Sequence, residues 1–140
     1  MTRGNVRQGL AGLLQLSLHR EIAKNVDRFS HLYLYIYISI FFCTFQFRNI
    51  SSHLIGVDLS EAIMDEAEKL RPNLYDERVV GDVTEIIRAK KPVSLIVAAD
   101  SFIYFGDLDP LFDSIQEGLD ENNGYLAFTL ENVSTEDEST

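Results

Sequence analysis

Cysteine is almost absent. Cys43 stands alone, which excludes an internal disulfide framework and any zinc site built from thiolates. Cationic residues are scarce over most of the chain. The totals are 12 Lys and Arg against 22 Asp and Glu, a formal charge of −10. The imbalance is uneven: residues 1–50 hold 6 basic and 2 acidic side chains, residues 51–140 hold 6 and 20, so the net charges are +4 and −14. Phosphate binding needs clustered Lys and Arg, so no nucleic-acid partner is expected. His19, His31 and His53 are scattered, with no pair at helical metal-ligand spacing, and no metal is expected. No internal repeat is present. What remains is ample for a core: 140 residues, 46% hydrophobic, suit one compact domain and rule out a wholly disordered chain.

Residues 1–30 read as an N-terminal helical segment. Arg3 and Arg7 precede a weakly apolar stretch at 10–18 with no small-residue cleavage pattern, so a secretory signal is not expected. No acidic residue precedes Glu21. The expected location is cytoplasmic, with mitochondrial or other organellar import as the alternative. Residues 31–49 are the odd segment. Within them, 32–47 (LYLYIYISIFFCTFQF) carry no charge. Sixteen residues are short for a membrane helix, which wants about 20, and Tyr, Ile and Phe favour strands. Three readings stay open: a buried strand with a following extension, a membrane segment, or a segment foreign to the fold. A membrane partner is the less favoured of these. Exposed, the run is an aggregation hazard.

From residue 51 onward the pattern becomes regular. Residues 54–58 (LIGVD) read as a buried strand. Ser60 caps a helix with Glu61 in its first turn, and Ile63, Met64, Ala67 and Leu70 form its apolar face. Pro72 ends it near Leu70. Residues 78–80 form a short strand closed by Gly81-Asp82, and a brief helical turn follows at 84–89. Residues 93–99 (VSLIVAA) predict a strand covered on both faces. Asp109 reads as a helix cap with Pro110 in the first turn, and Leu111, Phe112, Ile115 and Leu119 form that helix's stripe. Asn122-Asn123-Gly124 is a turn, 125–130 (YLAFTL) a strand, and 132–140 a disordered acidic tail. Lys90-Lys91 reads as a loop. Strands alternating with helices predict an α/β fold with a parallel sheet and right-handed crossovers.

Ligands of open α/β sheets bind beyond the carboxyl ends of the strands. Three predicted strands end in aspartate: Asp58, Asp82 and Asp100. Each could cap the next helix or turn. Three at corresponding positions, each after an apolar run, also suit a nucleotide-like ligand, because a carboxylate can accept two ribose hydroxyl protons.

GVDLSEAIMDEA at 56–67, VVGDVTE at 79–85, LIVAADSFIYFGDLDPLF at 95–112 and GYLAFTLE at 124–131 together resemble the class I S-adenosylmethionine-dependent methyltransferases of the small-molecule type. The resemblance covers about residues 50–131 and implies a Rossmann-like parallel sheet, here truncated to about 4–5 strands. It implies S-adenosyl-L-methionine as cofactor and a small-molecule or metabolite acceptor. Asp58 matches the residue that holds the ribose hydroxyls, with Leu59 packing on adenine. Asp82 matches the residue near the adenine amino group, with Val83 adding a backbone N–H. Asp100 and Ser101 match positions near the methionine end, and Phe102 and Tyr104 would line the substrate side. An acidic, aromatic-lined pocket suits a cationic sulfonium, and methyl transfer itself is mainly a matter of positioning.

The family's first strand leads into a glycine-rich turn about 20 residues before Asp58. Here no glycine lies between Gly12 and Gly56. No residue inherits that role, and the family's last two strands have no counterpart. A retained intron or misjoined gene model would produce such a replacement. Three functional readings follow: a methyltransferase, a non-catalytic methyltransferase-like fragment, or a protein anchored in a membrane through residues 32–47.

Overall fold

The computed structural model describes residues 33–37, 47–99 and 101–129. The expected segment 1–30, the tail 132–140 and Asp100 lie outside them. Among the described residues the chain order is β1 (Tyr33–Tyr37), β2 (His53–Asp58), α1 (Glu61–Leu70), β3 (Glu77–Val80), α2 (Val83–Lys90), β4 (Leu95–Ala98), a 3-10 turn (Phe102–Tyr104), α3 (Asp109–Gly118) and β5 (Tyr125–Phe128). The five strands form one sheet in the order β3-β2-β1-β4-β5, and every pairing is parallel. This is the Rossmann-like α/β architecture, in a short form.

The uncharged segment supplies the middle of that sheet. Tyr35 of β1 sits opposite Ile55 of β2 on one side and Ile96 of β4 on the other. A short run of Tyr, Leu and Ile is suited to a central strand, and the strand reading is the one the sheet uses. No helix among the described residues is long and apolar enough to cross a membrane.

Strand periodicity divides the core. Leu54, Leu95 and Val97 pack with Phe47 and Leu74 on one face of the sheet. Met64 and Ala67 of α1 pack against Tyr75, which also borders that cluster. Ile55, Val57 and Ile96 point the other way, into a cluster with Ile87 of α2 and Leu111 and Ile115 of α3. β2 and β4 are therefore buried on both faces, as their continuous apolar runs predict. Leu54 and Ile87 are wholly buried, and each contributes about 2 kcal/mol of hydrophobic stabilisation.

The helices adjust several expectations. Ser60 caps α1, its hydroxyl accepting from the Ile63 N–H at 3.4 Å. The apolar face of α1 is narrower than its spacing suggests: Met64 and Ala67 are buried, while Ile63 and Leu70 are exposed. The helix lies at the side of the sheet over β2 and β3, so only a thin stripe finds apolar partners. α2 extends one residue beyond the expected turn at each end. Lys90 is its last residue and not a loop position, and its ammonium pairs with Glu77. Asp109 is not the cap of α3. Leu108 occupies the cap position, Asp109 lies in the first turn, and Asp107 supplies the acceptor for the Asp109 N–H at 3.0 Å. Pro110 brings no N–H of its own to that turn, so the free donor lies one residue earlier. At the far end of α3, the Asp120 carboxylate accepts from the Asn122 and Asn123 N–H groups at 3.0 and 2.8 Å. That aspartate organises the predicted turn. β5 ends at Phe128, short of the predicted strand end, and residue 130 lies outside the described residues.

Candidate functional site

All five strands point the same way, so their carboxyl ends share one edge of the sheet. From β1 the chain builds outward through β2 to β3. It then returns to the other side of β1 for β4 and β5. The strand order reverses between β1 and β4, and a ligand crevice belongs there. Val57, Tyr37 and Ala98 stand side by side near that edge. Asp58 lies one residue further out on β2, opposite Val80 of β3.

Asp58 has the most informative surroundings. It is 6% exposed. One carboxylate oxygen accepts from the Ser60 N–H at 2.7 Å, so the aspartate shapes the turn into α1. Its backbone carbonyl accepts from the Gly81 N–H at 2.9 Å, which ties the ends of β2 and β3 together. The second carboxylate oxygen has no partner among the described residues. A buried carboxylate oxygen without a donor is costly to maintain. The turn reading and the ligand reading of Asp58 thus hold together, one on each oxygen. Leu59, next in the chain, is 66% exposed.

Asp82 is placed differently. It caps α2, its carboxylate accepting from the Thr84 N–H at 2.7 Å and from the Thr84 hydroxyl at 2.6 Å. These two hydrogen bonds hold its carboxyl below the ordinary value against the opposing effect of burial, and Arg88 adds to them. It remains exposed at the end of β3. The Val83 side chain is buried in the core with Ile87. Its apolar body therefore packs the fold and only its backbone is free for another task.

Beyond β4, Ser101 is fully buried and its hydroxyl donates to the Ala99 carbonyl at 2.9 Å. Phe102 is buried as well. Its ring stacks on Phe128 at 4.9 Å and meets Phe112 edge-on at 5.7 Å. Phe102 is part of the packing, whereas Tyr104, two residues on, is 74% exposed. The edge thus has two wings, with Asp58, Leu59 and Asp82 on one and the segment 101–104 on the other. β1 lies between them. No cluster of three metal-ligating side chains occurs among the described residues.

The sequence matches no family model and no curated protein. Solved structures do match. One is a methyltransferase from Geobacter sulfurreducens, 17% identical to this chain, with a TM-score of 0.52. The likeness covers 90% of this chain and 77% of that one. The shared fold is the methyltransferase-like Rossmann type.

Proposed function

We propose that this chain is an S-adenosylmethionine-binding domain of the class I methyltransferase type, serving methyl transfer to a small-molecule acceptor. The observation that carries this reading is the second oxygen of Asp58, buried and unpartnered at the carboxyl end of the strand next to the switch point. A ribose hydroxyl is a donor suited to it. In this reading Asp58 holds the ribose, exposed Leu59 covers one side of the adenine, and Asp82 with the Val83 N–H reads the adenine edge. Asp100 and Ser101 would serve the methionine end, and Phe102 and Tyr104 the acceptor side. When bound, the cofactor supplies an electrophilic methyl group on a cationic sulfonium. The protein's task is to align the acceptor with it.

The absence of glycine between Gly12 and Gly56 supports a second reading, a non-catalytic methyltransferase-like fragment. Side chains after β1 would stand where the family brings bare backbone to the cofactor. Titration calorimetry with S-adenosylmethionine and S-adenosylhomocysteine separates the two. The first reading expects binding by the native chain and its loss in Asp58→Asn, which keeps an acceptor for the Ser60 N–H. A folded native chain that binds neither compound leaves the fragment reading.

A further inference from the structure

The far edge of the sheet carries a second surface, formed by β5 and α3. β5 pairs with β4 alone among the described residues. The Tyr125 N–H donates to the Ser94 carbonyl at 2.9 Å and the Thr129 N–H to the Ala98 carbonyl at 3.1 Å. With a strand period of two, Leu126 and Phe128 turn their backbone N–H and C=O groups outward. Beside this open edge lie two aromatic rings with centroids 6.1 Å apart, Phe112 of α3 and Phe128 of β5, which are 37% and 40% exposed. Asp109 and Asp113 flank Phe112 on the exposed side of α3. The charge around them is of one sign. Residues 92–140 contain eleven Asp and Glu and no Lys, Arg or His.

We propose that the β5 edge, with Phe112 and Phe128, is a docking surface for an extended, basic, partly apolar peptide segment of another protein. The strand edge offers unmade main-chain hydrogen bonds at Leu126 and Phe128, which a partner strand completes. The rings accept its apolar side chains, and its Lys or Arg side chains face Asp109 and Asp113. Charge complementarity selects this occupant over a second copy of the chain. Pairing β5 with β5 brings two surfaces of the same sign together, and residues 51–140 carry −14 in each copy.

The test uses the full chain and synthetic peptides of about ten residues, a usable strand length. One alternates Lys with Ile, a second replaces Lys by Glu, and a third keeps Lys but has N-methylated backbone amides. Fluorescence anisotropy should show binding of the first only, weakening as salt rises. Hydrogen exchange should slow at the Leu126 and Phe128 amides. Asp113 is exposed and makes no contact the fold depends on, so Asp113→Lys should weaken the Lys peptide several-fold with unchanged circular dichroism. Equal binding of the Glu or N-methylated peptide, protection that misses β5, or no binding at all overturns the proposal. So does protection at Leu126 and Phe128 that grows with protein concentration alone, which would make the occupant a second copy.

Discussion

Gly118 of α3 is pressed against Ile87 of α2: a methyl group placed on Gly118 would lie 2.2 Å from the Ile87 Cγ2 atom. Ile87 is itself wholly buried and central to the cluster beneath the two helices. The absent side chain is what lets α2 and α3 pack so closely, and Arg88 and Glu117 close the same seam from outside with a 3.1 Å ion pair.

Gly118→Ala should therefore destabilise the fold, although alanine is the better helix former by about 1 kcal/mol. Overpacking of this kind costs about 1–3 kcal/mol net of such gains. Urea unfolding measures it. In a double-mutant cycle with Ile87→Ala the losses should be less than additive, because the second change empties the space the first one needs. Additive losses would mean the two residues are independent.

Acid should loosen this protein at three identifiable places. Burial pushes the Asp76 carboxyl up, but the Leu54 N–H and the Arg48 guanidinium outweigh it and hold the group below its ordinary 3.8. The Lys90 ammonium does the same for Glu77, below 4.5, and Thr84 for Asp82. In each case the unfolded chain takes up its proton at higher pH than the native state. The stabilisation is complete above the ordinary values and is lost as pH falls through the lowered ones. The urea midpoint should be flat from neutral pH to about 5 and decline below that. Asp76→Asn should make the decline shallower. A midpoint that rises on acidification would refute the assignment.

Asp82→Ala separates a cap from a ligand contact. Loss of the α2 cap should cost about 1 kcal/mol of stability. If Asp82 also reads adenine, cofactor affinity should fall further than the same stability loss produces elsewhere. Gly118→Ala is the reference for that comparison.

The missing glycine turn makes a prediction about which half of the cofactor is held. Asp58, Leu59 and Asp82 all serve the nucleoside. Adenosine should bind within about tenfold of S-adenosylmethionine, a difference of about 1.4 kcal/mol. A far larger preference for the intact cofactor, measured by calorimetry, would show that the methionine end is held after all.

Phe102→Ala distinguishes packing from substrate contact. The buried ring touches Phe105, Phe112 and Phe128, and its removal should cost about 3–5 kcal/mol of stability. Tyr104→Ala, at an exposed position, should leave stability within about 0.5 kcal/mol.

Much of this was legible in the residues because burial on two faces leaves a strong mark. LIGVD and VSLIVAA could hardly be anything but central strands, and Ser60 announced the start of α1. The 33–37 strand was ambiguous for a physical reason. A short uncharged run looks the same whether it enters a sheet, a membrane or an aggregate. Its two neighbours, β2 and β4, decide the matter, and they lie far along the chain. The α3 cap was misplaced because Asp107 and Asp109 both precede the helix and only geometry tells which accepts the N–H. At the site, the position of Asp58 followed from the strand before it. Its unpartnered oxygen did not, since that depends on everything packed around it. Asp100 lies outside the described residues.

The central place of β1 also has a consequence in time. Its residue 34 pairs with residue 95 on one side. During synthesis, β2 emerges soon after it and can cover one edge. The other edge must wait until the strand at 95–98 has left the ribosome. For that interval the most strand-prone, least charged stretch of the protein has an open side. Translation pauses before residue 95 should therefore determine how much of the newborn chain reaches the folded state.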